Sequence, residues 1–315
     1  MIGEPVPPWW PHRERSSVVV SRGLHWHLQR WPAPVEGAET ALLLHGTGSS
    51  AHSFRGLAPE LARRFEVIVP DLPGHGFTRS PPGQALTLPA VAAAVLALLR
   101  QLRRRPALVV GHSAGAAVAA RLVLDSDLRP RRIVAVNGAL LPIEGPIGRL
   151  FSPAARLLAA NPLVAPGFAA WASWPGSTRR LLEGTGSRID PLGERCYRAL
   201  VGNPRHAAGA LRLMAAWDLE PLRLDLPRLP VPLRLLVGSA DRTLPPSHAG
   251  RVQELLPTAT VHELPGLGHL AHEEDAARVA EWCLAEALPG PRGARDARAR
   301  RSTAGAQTTR QRVGA

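Results

Sequence analysis

The sequence predicts an α/β protein with a mostly parallel eight-stranded sheet, helices on both faces, and a helical segment inserted after the sixth strand. Three observations carry this. Short apolar runs alternate with helical patterns through most of the 315 residues, the order that βαβ units require. The alternation stops between about Leu140 and Leu226, where helical patterns are broken by Pro and Gly. A Gly-x-Ser-x-Gly pentapeptide lies where a strand-like run meets a helical one.

Residues 1–15 hold several prolines and the pair Trp9-Trp10, and read as an extended N-terminal arm. Ser17–Val20 and Leu24–Trp31 alternate about the break Ser21-Arg22-Gly23 and predict a β-hairpin. Six more strands follow at Ala41–His45, Phe65–Pro70, Ala107–Gly111, Ile133–Asn137, Leu233–Gly238 and Thr260–Leu264. Their apolar character on both faces suits a parallel sheet covered on both sides. Helices are expected at Ser53–Arg64, Pro89–Arg103, Ser113–Leu124 and Glu273–Ala287. Within the insertion they are expected at Ile147–Ala160, Pro191–Val201 and Ala207–Trp217. The reading therefore divides the chain into a core (16–139 and 227–288), a helical cap (140–226) and an Arg-rich disordered tail (289–315).

Composition removes several function classes. The longest apolar stretch, Leu88–Leu99, is twelve residues, against about twenty for a membrane-spanning helix. Two cysteines, Cys196 and Cys283, exclude a disulfide framework and a cysteine-built zinc site. No secretory signal is visible at the N-terminus, so a cytoplasmic location is expected. The net charge is +13 and all of the basic residues are arginine. From Gly290 onward seven arginines face one acid, Asp296, so nearly half of that excess belongs to the tail. This charge suits a solvated tail, or attraction to an anionic membrane surface, an acidic partner or a carboxylate ligand. No nucleic-acid-binding motif, no G-x-G-x-x-G or Walker sequence and no metal-ligand spacing occurs, so neither nucleic acid, cofactor nor metal is expected.

The chemistry-bearing residues fall at strand ends. Gly111-His112-Ser113-Ala114-Gly115 follows a strand and opens a helix, the setting of a nucleophile elbow in which a sharp turn exposes the serine. The helix N-terminus offers free N–H groups to a developing oxyanion. His45-Gly46-Thr47-Gly48 follows the third strand, and the N–H of Thr47 would join that of Ala114 in an oxyanion hole. Asp241 and His269 each follow a later strand, in Gly238-Ser239-Ala240-Asp241-Arg242 and Gly266-Leu267-Gly268-His269. In this reading Ser113 attacks, His269 takes and returns its proton, and Asp241 orients His269. His272 competes for the base role, and Asp241 is alternatively a turn or cap residue. His45, Gly46 and His112 are expected to line the pocket, His112 alternatively packing beneath it. His25 and His27 read as a solvated strand face, and Asp71-Leu72-Pro73-Gly74-His75-Gly76 as a structural turn near the site.

These motifs resemble those of α/β-hydrolase-fold proteins with a helical cap, over residues 17 to 287. A narrower resemblance lies outside them. Trp10-Pro11-His12-Arg13-Glu14 with Gly23-Leu24-His25-Trp26-His27, Ala159-Ala160-Asn161-Pro162-Leu163, Gly186-Ser187-Arg188, and His206 to Leu211 leading into Met214 to Leu219 are similar to the magnesium-chelatase accessory protein of bacteriochlorophyll biosynthesis, the BchO family. The resemblance implies a role at or near magnesium insertion into protoporphyrin IX, with magnesium chelatase as a partner. Trp171, Trp174 and Trp217 with scattered arginines would hold a porphyrin, or else pack the cap on the core. Phe151, Leu157 and Leu158 would give a peripheral contact with the inner membrane. The competing readings are a non-catalytic porphyrin or chelatase binder and a general carboxylesterase. A dehalogenase or epoxide hydrolase is disfavoured, because each needs a carboxylate at position 113.

Overall fold

The computed structural model describes residues 6–33, 35–142, 157–158, 160–172 and 174–285. The chain divides into a compact unit of residues 1–280 and a second unit of 281–315. Only the end of the last helix is described in the second unit, so the expected tail 289–315 lies outside the described residues. So do Phe151 and all but three residues of the helix expected at Ile147–Ala160.

Eight strands form one sheet: β1 (Ser16–Ser21), β2 (Leu24–Trp31), β3 (Thr40–Leu44), β4 (Glu66–Pro70), β5 (Leu108–His112), β6 (Arg132–Val136), β7 (Leu233–Gly238) and β8 (Thr260–Leu264). Their order is β1-β2-β4-β3-β5-β6-β7-β8. The β1–β2 hairpin pairs antiparallel, β2 pairs antiparallel with β4, and every later pairing is parallel. The chain leaves β3 for β4 on one side and returns to β5 on the other. Such a reversal, at the carboxyl ends of β3 and β5, is where α/β sheets bind ligands.

The central strands are buried along their whole length, as their unbroken apolar runs require. The helix Ala114–Leu124 carries alanine at 116, 117, 119 and 120, all fully buried. Small side chains let it lie close over the sheet and against the helix Leu88–Leu102. Between β6 and β7 the described residues form helices at Val164–Ala172, Ser177–Gly184, Pro191–Val201, Pro204–Ala216 and Glu220–Asp225. Two of them begin with Pro after a capping side chain: Asp190 accepts from the Gly193 N–H at 2.6 Å, and Asn203 from the Arg205 N–H at 3.0 Å.

Several element boundaries differ from expectation. The helix expected at Ser53–Arg64 is a 3-10 turn, Ala51–Phe54, followed by a short helix, Leu57–Leu61, with Arg55 and Gly56 between them in right-handed helical dihedrals. The final helix is broken at Asp275, which leaves helical dihedrals, into Ala271–Glu274 and Ala276–Leu284. The N-terminal arm is not simply extended. Trp10 is buried against Cys196 and Leu200 of the insertion, and Trp9 lies under the Arg195 guanidinium, 4.0 Å from its carbon.

Candidate active site

Ser113 stands at the end of β5 with φ 50° and ψ −119°, a conformation that costs a non-glycine residue about 1–3 kcal/mol. Neighbouring backbone holds it there. The Ser113 N–H donates to Val136 O at 3.1 Å, and Ser113 O accepts from the Ala139 N–H at 3.0 Å. Gly115 permits the turn, since a Cβ there would lie 2.1 Å from Leu44 O. Ser113 is half-buried while every residue from Leu108 to His112 and from Ala114 to Val123 is buried. The turn therefore lifts one hydroxyl out of the core. Ala114 is the first residue of its helix, so its N–H has no intrahelical acceptor.

Asp241 and His269 meet across two loops. The His269 Nδ1–H donates to Asp241 Oδ2 at 2.7 Å, and both side chains are buried. Asp241 Oδ1 accepts from the N–H groups of Thr243 and Leu244 at 2.7 and 2.9 Å. That leaves Oδ2 aimed at the imidazole. His272 is fully buried against Phe54 and His112, with its pKa pushed down to about 3 by burial. Among the described residues neither of its ring nitrogens has a hydrogen-bond partner, which separates it from His269.

Asn137 holds the His269 loop in place. It has φ 45° and is buried. Its Nδ2 donates to Gly268 O at 2.9 Å and to His269 O at 2.8 Å, while Oδ1 accepts from the Gly238 N–H at 2.8 Å. His112 Nε2 reaches the same His269 carbonyl at 2.9 Å. Sequence reasoning passed over Asn137. The available signal was its position directly after a buried strand, where a residue tolerant of positive φ fits a sharp turn.

The loop after β3 is braced by neutral histidines. His45 Nδ1–H donates to Gly46 O at 2.8 Å, and its Nε2 accepts from the Leu72 N–H at 2.8 Å. His206 of the insertion accepts from the Gly76 N–H at 2.9 Å and donates to Gly48 O at 3.1 Å. His75 packs between the two rings, 5.4 Å from each centroid. Burial lowers the pKa of all three, that of His206 to about 4. They therefore act near neutral pH as hydrogen-bonding struts. Thr47, between these braces, is half-buried.

The insertion is fastened at three further places. Gly209 meets Gly74 so closely that a Cβ would lie 1.8 Å from Gly74 O. Thr185 O accepts from the N–H groups of Arg242 and His269 at 3.1 and 3.3 Å, and Ser187 Oγ accepts from the Leu270 N–H at 2.8 Å. Buried Arg55 pairs with Glu273 and, at 2.8 Å, with Asp190, while the Tyr197 hydroxyl donates to Glu273 at 2.7 Å and meets Ser49 Oγ at 3.1 Å.

The expected pocket residues sort differently. His45 and His112 are buried and bonded to backbone, so they support loops rather than line an open pocket, because an imidazole with backbone partners on hand is held by them. Gly46 lies beneath, 3.0 Å from Ser113 Cβ at its would-be Cβ. Trp217 is half-buried against the main core, and Trp171 is exposed beside Phe168. The expected solvated face at His25 and His27 is wrong for His27. Only His25 is exposed. His27 is buried between Asp71 Oδ2 at 2.8 Å and Ser16 Oγ at 3.0 Å, because the loop carrying Asp71 folds over its strand. Asp71 also accepts from the Ala51 and Phe77 N–H groups, so its turn is a hydrogen-bonded hub. Among the described residues no cluster of histidine, cysteine and carboxylates has metal-binding geometry, and no helix is long and apolar enough to cross a membrane.

The model of the alpha/beta hydrolase family matches residues 41–282. The magnesium-chelatase 30 kDa subunit of Rhodobacter capsulatus is 40% identical over 268 residues, covering 85% of this chain and 93% of that protein. The chain belongs to the α/β-hydrolase family, in the group of that chelatase subunit. This α/β hydrolase is also 27% identical to the uncharacterized hydrolase YugF of Bacillus subtilis, over 78% of this chain and 88% of that one. In fold it matches an alpha/beta hydrolase fold protein from Burkholderia ambifaria, with TM-score 0.71 and 22% identity over 85% and 96% of the two chains. Three of the segments that resemble the accessory family in sequence carry contacts of the insertion with the rest of the chain: Trp10 on Cys196, Ser187 on Leu270, and His206 on Gly48 and Gly76.

Proposed function

We propose that this member of the α/β-hydrolase family is an accessory factor of bacteriochlorophyll synthesis, working with magnesium chelatase at or near magnesium insertion into protoporphyrin IX, and that it carries a serine-hydrolase site. The observation that carries the catalytic half is the 2.7 Å His269–Asp241 bond at the strand ends that also present Ser113 on its strained turn. The similarity to the chelatase subunit across 93% of that protein supports the pathway half.

In the proposed reaction the Ser113 hydroxyl gives its proton to His269 Nε2 as its oxygen attacks an ester carbonyl. The N–H groups of Ala114 and Thr47 receive the oxyanion. The C–O bond to the leaving group breaks, and the alcohol takes the proton from His269. Water then repeats the sequence on the acyl-serine, releasing the acid and restoring Ser113. Asp241 holds the imidazole with Nδ1–H inward, so Nε2 is free to accept. The helical insertion acts as a cap over the site, and the substrate is a small ester or a porphyrin derivative.

Two measurements test the two halves. A fluorophosphonate probe should label the wild type and fail on Ser113→Ala; equal labelling of both would remove the nucleophile assignment. In the organism that encodes the protein, deletion should lower the ratio of magnesium-protoporphyrin to protoporphyrin. Ser113→Ala at matched protein level should lower it equally. A fall with deletion alone would make the protein a binding factor, and no fall with either would leave a general esterase.

A further inference from the structure

The helix Val164–Ala172 has its apolar residues turned the wrong way for water. Its buried positions are Ala165, Ala169 and Ala172, spaced to lie on one face. Its large apolar residues point outward: Phe168 is 37% exposed and Trp171 39%, with Leu163 before the helix 75% exposed and Trp174 after it 68%. Packing alone explains the alanines, which let this helix approach Pro204–Ala216 closely. It does not explain why the opposite face carries Leu, Phe and Trp. A monomer in water gains nothing by exposing them, and clustered exposure of this kind marks a contact surface.

We propose that this face docks on an anionic lipid surface. Two features favour lipid over a protein partner. From Pro162 to Ala172 the side chains carry a single hydrogen-bonding atom, the Trp171 indole nitrogen. A specific protein interface makes about one hydrogen bond per 100–200 Å², whereas acyl chains ask for none. Charge is the second feature. No acidic residue occurs from Arg149 to Leu182, and the face is followed by exposed Arg179 and Arg180, the former paired with Glu194. Tryptophans with arginines behind them are the side chains that settle at headgroup level. Exposed Leu157 and Leu158 extend the apolar character on the N-terminal side. The helix would lie in the interface plane, not across it.

Flotation of the full-length protein with vesicles tests this. Wild type should float with phosphatidylcholine–phosphatidylglycerol vesicles and much less with phosphatidylcholine alone, with a blue shift of tryptophan emission. Phe168→Ser combined with Trp174→Ser should lower the bound fraction about tenfold with an unchanged unfolding temperature. Ser113→Ala should float like wild type, so failure of the hydrolase reading leaves this result intact. Wild type that stays in the soluble fraction, or a double variant that floats equally well, would overturn the proposal. So would a concentration-dependent dimer lost in the double variant, which would assign the face to a second copy.

Discussion

At the scale of single residues, the site depends on conformations that the surrounding fold imposes. Ser113 occupies a backbone region that no local preference would select, and hydrogen bonds from β6 and the segment after it hold it there. Asn137 does comparable work from a positive φ, tying Gly238 to Gly268 and His269. Replacing Asn137 with Ala removes three buried bonds and strips the Gly268 carbonyl and the Gly238 N–H of this partner, while the His269 carbonyl keeps His112 Nε2. A loss of about 2 kcal/mol is expected, read as a lower urea midpoint. Fluorophosphonate labelling should slow as well, because the His269 loop loses one of its anchors. The conservative Asn137→Asp variant keeps the acceptor for Gly238 but not the two donors, and should recover only part of the labelling rate.

At the scale of elements, the insertion is held by side chains from separate parts of the sequence. Arg55 from the segment after β3, Glu273 after β8, and Asp190 and Tyr197 from the insertion meet in one network, buried at Arg55, Glu273 and Tyr197 and open to water at Asp190. Breaking a buried pair leaves an uncompensated charge, at a cost of about 3 kcal/mol or more. Glu273→Ala should therefore lower the unfolding temperature far more than Glu220→Ala, whose partner Arg223 is at the surface. Equal effects would show that the network is idle. Gly209→Ala places a methyl group against Gly74 O and must part the helix Pro204–Ala216 from the loop after β4. The expected cost is about 1–3 kcal/mol, and proteolysis should then cut the insertion faster than the core.

For the whole molecule, buried neutral histidines link stability to pH. His45, His52, His75, His112, His206 and His272 all have their pKa lowered, burial being the leading cause in each. In the unfolded chain these groups take up protons near 6.5, whereas folded His206 does so only near 4. Below 6.5 the unfolded state thus binds more protons, so stability is complete above 6.5 and lost as pH falls toward 4. His206 alone would account for about 3 kcal/mol across that window. Urea midpoints should drop steeply between pH 6.5 and 4. His206→Gln, which can both accept from Gly76 and donate to Gly48, should make that drop shallower. An identical slope in the variant would remove His206 from the account.

The sheet was legible in the chain because central parallel strands must be apolar on both faces, and such runs at β3 to β7 are short and distinctly bounded. The strand-end positions of Ser113, Asp241 and His269 were legible because each follows a strand in a Gly-rich or polar turn. The helices Val164–Ala172 and Ser177–Gly184 were not, because Pro and Gly break their pattern and their stability comes from packing rather than periodicity. His27 was misread for a related reason: strand alternation places it on a face but cannot tell that Asp71, forty-four residues later, folds over that face. The amino-acid sequence by itself determined the order of elements and the residues carried at strand ends, since both follow from local patterns of apolar and turn-forming side chains. Only the tertiary structure decided that His269 rather than His272 meets a carboxylate, that Asn137 supports it, and that Phe168 and Trp174 face outward. Those outcomes depend on which distant segments come within hydrogen-bonding or packing distance, and no local pattern encodes that.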